Sequence, residues 1–262
     1  MTKLVQLTRE DGVAIVELAD PLGKNALGEA MVMELRACLA EAYGDPSCRT
    51  VVVCGSPEVF CSGAPRELLV RLTNGEVLPS DIALAAALLD VPVPTITAME
   101  GHATGGGLAL GLCADIIVLA RESRYGATFM NMGFTPGMGM TRLLEHVLSP
   151  AIAHELLYTG ELRRGSELEG RGINHVLPRS EVRARAIDIA RRIADKPRRS
   201  LELLKETLAA PRRAAFAASR VEEERMHAIT FADPATRTWL DAEYIDSSEQ
   251  ASTHAASSQR RT

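Results

Sequence analysis

The chain has 262 residues, 46% of them hydrophobic and 4% aromatic, with a net charge of −5. That length and apolar content suffice for one large globular domain. The scarcity of aromatics, the acidic balance and the lack of a long basic run exclude a base-stacking nucleic-acid surface and an anionic-membrane partner.

Taken in chain order, "KLVQLTR" and "VAIVELA" are short β-rich runs parted by Glu10-Asp11-Gly12, a turn signal, and predict a hairpin. "LGEAMVMELRACLAEAYGD" has helical apolar spacing and predicts a helix ending near Gly44. "TVVVCG" predicts a buried strand. The order then repeats, with a helical stretch near Ser80–Asp90, the strand "PTITAM", a helix from Gly106 and the strand "DIIVLA". This alternation predicts an α/β core with parallel pairing. Beyond about residue 138, helices dominate: "GMTRLLEHVL", "AIAHELLYTG", "EVRARAIDIARRIAD", "SLELLKETLAA" and "AAFAASRVEEERMHAITF". Pro150, Pro178, Pro197 and Pro211 are expected to punctuate them. "INHVLP" is expected to add an edge strand. The Ser-rich end, "DSSEQASTHAASSQRRT", lacks apolar residues and reads as disordered. The expected organisation is a core over 1–195, a helical region over 196–245 and a tail over 246–262.

No apolar run reaches the length of a membrane span, and "MTKLVQLTRE" lacks the apolar core of a signal peptide. The expected location is cytoplasmic. Cys38, Cys48, Cys54, Cys61 and Cys113 are odd in number and unpatterned, and read as reduced thiols, mostly buried.

Two segments bear on chemistry. In "FCSGAP", Phe60 to Pro65, Gly63 permits a turn that aims the Ala64 N–H into a cleft. In "GHATGGGLAL", Gly101 to Leu110, Gly106 offers a second N–H at a helix start. Two such donors suit an oxyanion hole for a carbonyl that gains negative charge, each worth roughly 10²–10³ in rate. Phosphate cradling fits less well, because neither G-x-x-x-x-G-K-[ST] nor G-x-G-x-x-G occurs. No H-E-x-x-H or paired-cysteine spacing points to a metal.

In this order, with "KNAL" at Lys24–Leu27, "CADIIVLA" and "GFTPGMGMTRLL", the segments resemble the crotonase (enoyl-CoA hydratase/isomerase) superfamily, from about Leu4 to Tyr244. The resemblance implies a spiral of ββα turns, a helical C-terminal trimerisation region, thioester substrates and no cofactor. It puts the two oxyanion donors on Ala64 and Gly106. The family's hydratases carry two glutamates that activate water; here those positions hold Ala109 and Phe129. General acid–base hydration needs a positioned proton carrier, which neither residue supplies. Decarboxylation fits an anion cradle beside an apolar wall, since loss of CO₂ beside an unsaturated thioester leaves a dienolate.

"RESRYGATFMNMGFTPGMGMT", followed by "EEERMHAITF", is similar to the decarboxylases of polyketide β-branching. These convert 3-methylglutaconyl on an acyl carrier protein to a 3-methylcrotonyl-type thioester. The resemblance implies that His227 takes part, binding a carboxylate when charged or passing a proton. It also reveals a departure. Leu72 stands where some members have a lysine, and Leu68 where they have a tyrosine. Leu68, Leu72, Ala109 and Phe129 are expected to shape an apolar acyl pocket. Arg66 and Arg71 read as a solvated helix face, Cys61 as packing, His102 as a residue that orders its loop, and Asp115 as a backbone cap near a strand start. The expected protein is a cofactor-independent decarboxylase acting on a carrier-protein thioester, as a homotrimer or dimer of trimers. A CoA-thioester isomerase or hydratase with a relocated base, and a non-catalytic carrier-protein scaffold, are the alternatives.

Overall fold

A computed structural model describes residues 3–78, 84 and 86–243. The predicted hairpin forms from β1 (Val5–Glu10) and β2 (Val13–Leu18), paired antiparallel from Val5↔Leu18 to Glu10↔Val13. Helix α1 (Glu29–Gly44) follows and buries Met31, Leu35, Leu39 and Ala42, a stripe at helical spacing. Next come β3 (Thr50–Cys54) and β4 (Val59–Cys61), then α2 (Arg66–Thr73) and α3 (Ala86–Asp90). The earlier part of the helix expected near Ser80–Asp90 falls largely outside the described residues.

The same order recurs as β5 (Thr95–Met99), β6 (His102–Thr104) and α4 (Gly106–Leu112). It recurs again as β7 (Ile116–Ala120) and β8 (Arg124–Gly126), followed by a short 3-10 helix at Thr128–Met132. Each pair sends its first strand to a six-stranded sheet and its second to a four-stranded one. The large sheet runs β1-β2-β3-β5-β7-β10, with β10 at His175–Leu177 as the expected edge, parallel to β7. The small sheet runs β4-β6-β8-β9, with β9 at Arg163–Arg164. This is the α/β ββα spiral. Tyr125 stitches the two sheets: its buried hydroxyl donates to Met99 O (2.7 Å) and accepts from Ala120 N–H (3.0 Å).

Strand β3 is buried throughout, because both sheet faces are covered. Val51 and Val53 join the main core, while Val52 and Cys54 join a second cluster under α7 (Arg179–Ala194). Helix α7 meets the sheet with Val182, Ala186, Ala190 and Ala194, small residues one turn apart that allow close approach. Cys48, Cys54, Cys61 and Cys113 are buried, and Cys38 is partly exposed.

The helical C-terminal region contains α5 (Met140–Val147), α6 (Pro150–Thr159), α7, α8 (Arg198–Thr230) and α9 (Pro234–Glu243). Pro150 opens α6, and Pro178 and Pro197 stand just before α7 and α8, as punctuation predicts. Pro211 does not break the chain. "SLELLKETLAA" and "AAFAASRVEEERMHAITF" form one 33-residue helix with Pro211 inside it. A proline there removes one backbone hydrogen bond and costs about 3 kcal/mol; side chains anchored on either side of it outweigh that loss. Among the described residues no helix is long and apolar enough to cross a membrane. The Ser-rich tail lies outside the described residues.

Candidate active site

The segment around Gly63 is held from three sides. Leu27 N–H donates to Gly63 O (2.7 Å), Ser62 N–H to Lys24 O (3.2 Å), and the Thr104 hydroxyl to Ser62 O (3.0 Å). Asn25, fully buried, donates its amide to Val59 O (3.0 Å) and Phe60 O (3.1 Å) and accepts from Asp20 N–H (2.9 Å). The "KNAL" motif therefore fastens the first loop to the strand that precedes Ala64. Lys24 and Asn25 have φ of 54° and 52°, a left-handed stretch that asparagine tolerates.

Glycine lets the two donor segments touch. Gly63 has φ +83°, and a Cβ there would lie 2.8 Å from Thr104 O and 3.1 Å from Gly106 N. Gly107 approaches more closely still, since its Cβ would meet Cys61 O at 2.1 Å. An Ala64-bearing turn and a Gly106-bearing helix start, over forty residues apart in sequence, thus lie against one another. Met138 covers the other side of Gly106, with its Sδ 2.6 Å from where a Cβ would stand. Met138 itself has φ 60°, a strained value for a residue with a side chain.

The next residue back, Gly137, faces His227: a Cβ there would lie 2.9 Å from His227 Cε1. His227 is 6% exposed, so it is a buried residue despite the charged run before it. Its Nε2 lies 3.0 Å from Thr135 O, and because a carbonyl only accepts, Nε2 carries the hydrogen. Nδ1 is buried without a hydrogen-bond partner among the described residues. Burial holds the ring's pKa below the usual histidine range, against the opposing pull of the Thr135 and Pro136 carbonyls and of Glu224. The resting ring is neutral at pH 7. It stacks at a tilt on Phe231 (4.9 Å between centroids), which meets Phe134 (5.0 Å), which meets Phe129 edge-on (6.2 Å). Phe129 Cε1 lies 3.9 Å from the Cβ position of Gly105. An aromatic file therefore joins the glycine segment to His227.

A cleft of about 460 Å³ opens on His227, lined by Leu72, Val77, Leu78, Ala228 and Phe231 among others, with Glu224 on its wall. No lysine or arginine lines it among the described residues. Glu224 is half exposed and pairs with Arg220 (3.6 Å). Leu72 thus reaches the cleft, while Leu68 and Ala109 are core residues, Ala109 fully buried one turn into α4. Arg66 pairs with Asp241, and Arg71 with Glu29 at 2.7 Å, both on half-exposed surface. His102 Nδ1 accepts from Arg124 N–H (2.8 Å) and so orders β6 against β8. Burial pushes the Cys61 thiol up to about 12, which leaves it unreactive.

A sequence model of enoyl-CoA hydratase/isomerase proteins matches residues 8–244. The chain belongs to the enoyl-CoA hydratase/isomerase family. Within it, the bacillaene synthase decarboxylase PksI of Bacillus subtilis (strain 168) is 39% identical over 223 residues, covering 85% of this chain and 90% of that protein. A solved structure from a dehydratase/decarboxylase enzyme couple involved in polyketide beta-branching has a TM-score of 0.89 at 36% identity, covering 93% of this chain and 100% of that one. The ECH2 decarboxylase domain of CurF from Lyngbya majuscula has a TM-score of 0.86 at 36% identity, with the same coverage.

For a member of the enoyl-CoA hydratase/isomerase family, the site has unusual walls: both positions expected to hold hydratase glutamates are buried and carry no carboxylate. Sequence reasoning alone missed Thr135, Gly137, Met138, Phe231 and Glu223. Glu223 had a readable signal, since Phe216, Ser219, Glu223 and His227 recur at helical spacing.

Proposed function

We propose that this protein decarboxylates a 3-methylglutaconyl-type thioester, delivered on an acyl carrier protein, to a 3-methylcrotonyl-type thioester. The observation that carries the reading is the pairing of a donor-rich glycine junction with walls that hold alanine and phenylalanine in place of acids. The C–C bond to the carboxylate breaks and CO₂ leaves. The electron pair spreads into a dienolate whose charge rests partly on the thioester oxygen. The N–H groups of Ala64 and Gly106 hold that oxygen. Leu72 keeps the cleft wall apolar, and the buried Leu68, Ala109 and Phe129 supply apolar core behind the acyl site. His227 meets the substrate carboxylate, which favours the charged ring, and one proton then passes to carbon. The likeness to PksI and to the CurF domain, both decarboxylases, supports the assignment. A homotrimer or dimer of trimers completes the proposed assembly.

Glu224, on the wall of the same cleft, favours a second reading, a hydratase with a relocated base. One experiment separates them. The protein is incubated with 3-methylglutaconyl carrier protein and, separately, with crotonyl-CoA, and products are read by mass spectrometry. Loss of 44 Da from the first, and no hydration of the second, is expected. Rapid crotonyl-CoA hydration that Glu224→Gln abolishes overturns the decarboxylase reading. Full CO₂ release by His227→Ala removes His227 from it. Tight carrier binding without any product leaves a scaffold.

A further inference from the structure

Glu223 is 3% exposed, and no lysine or arginine pairs with it among the described residues. Its carboxylate instead meets three neutral donors across 82 and 84 residues of sequence. Oε2 accepts from Gly139 N–H (2.8 Å). Oε1 accepts from Thr141 N–H (3.1 Å) and from the Thr141 hydroxyl (2.8 Å). Gly139 and Thr141 stand at the start of α5, where N–H groups have no partner within the helix. Glu223 therefore caps a helix from a different part of the chain, with the helix dipole favouring its charge.

The cap holds more than a helix end. The same face of α8 presses four residues on one short segment. Phe216 lies against Gly139, with its ring 2.3 Å from a Cβ position there, and the Ser219 hydroxyl donates to Gly139 O (3.2 Å). Glu223 follows, and then His227 on Gly137 and Thr135 O. Met138 is thus gripped on both sides, by His227 at residue 137 and by Glu223 at residue 139. Its left-handed backbone directs Sδ onto Gly106.

We propose that Glu223 is a positioning residue for the decarboxylation, holding the 137–139 segment so that Met138 walls the Gly106 donor while His227 stays in register one helical turn away. The inference rests on the decarboxylase reading for its kinetic arm only. Burial raises the Glu223 pKa against the three hydrogen bonds that lower it. The groups facing it from α5 are not titratable; on α8 itself, His227 is one turn on, and Glu222 and Glu224 flank it toward solvent. Protonation removes acceptor capacity, so the grip loosens as pH falls.

The test compares wild type with Glu223→Gln and Thr141→Val in two measurements. Amide hydrogen exchange over residues 135–141 reads the grip whatever the chemistry: Glu223→Gln is expected to lose protection there while the rest of α8 keeps it. Carrier-thioester kinetics read the consequence. Wild-type kcat is expected to fall at acid pH; Glu223→Gln is expected to lower kcat roughly 10- to 100-fold with KM little changed, and to flatten that fall. Thr141→Val, which removes one donor of three, is expected to give a smaller loss of the same kind, and carries the test if Glu223→Gln does not fold. Unchanged exchange over 135–141, or wild-type kcat with the acid limb intact, overturns the inference. If wild type itself releases no CO₂, the functional reading fails while the exchange result still decides whether Glu223 holds the segment.

Discussion

The two halves of α8 solve the same problem, attachment to the core, by opposite chemistry. The first half uses cations. Buried Lys205 reaches Asp115 Oδ2 (2.5 Å) and the carbonyl of Leu88 (3.4 Å). Arg212 reaches Asp115 Oδ1 (2.5 Å) and the carbonyls of Ala114 (2.6 Å) and Cys113 (3.3 Å), and Arg213 takes Leu89 O (2.8 Å). These carbonyls close α3 and α4, ends that favour positive charge. The second half, from Phe216 to His227, brings no cation inward. It grips by an aromatic ring, a hydroxyl, a lone carboxylate and a neutral imidazole. The contrast teaches where buried charge is tolerable. Paired ions serve as a fixed anchor, whereas the half that carries His227 brings no lysine or arginine to the cleft among the described residues.

Removing the hub of the anchor should break the comparison most severely. Asp115→Ala strands buried Lys205 and strips the partly buried Arg212 of its carboxylate, and is expected to destabilise the protein by about 3–5 kcal/mol, read by urea unfolding. Removing the reactive end should do the reverse. His227→Ala is expected to lower kcat about 10²- to 10³-fold with a near-native far-ultraviolet spectrum and a smaller loss of stability than Asp115→Ala. A variant that unfolds like Asp115→Ala would erase the distinction between anchor and site.

A pH series sharpens it further. The folded His227 ring titrates below its ordinary range because burial penalises the charged form. The unfolded ring titrates near 6.5. As pH falls below that value the unfolded state binds the extra proton first, so wild type loses stability on acidification. His227→Leu lacks this penalty, and the stability gap should move in the variant's favour between pH 7 and 5, as followed by thermal melts. The smallest effect is expected outside both halves. Arg66→Ala breaks the half-exposed pair with Asp241 and should change stability by no more than about 1 kcal/mol.

Much of the frame was legible because local pattern carries it. The hairpin, the buried strand at Thr50–Cys54 and the strand–helix alternation each rest on period or on turn chemistry. The four strands of the small sheet left almost no such trace. At two or three residues each, they are too short to show alternation, and they exist only because the adjacent long strands deliver them to a common plane. Pro211 misled for a related reason. Local preference favours a break, but Lys205 on one side and Arg212 and Phe216 on the other hold the helix through it. Within "VEEER" only helical spacing from Phe216 and Ser219 to His227 sets Glu223 apart from the acids on either side of it.

By itself the sequence determined the α/β alternation, the two glycine-bearing donor segments and the absence of acids at Ala109 and Phe129, since each is written in neighbouring residues. Only the tertiary structure decided that Glu223 and His227 share one short segment with the cover of Gly106. That segment lies about ninety residues earlier in the chain than His227, and no local periodicity records a contact made across such a span.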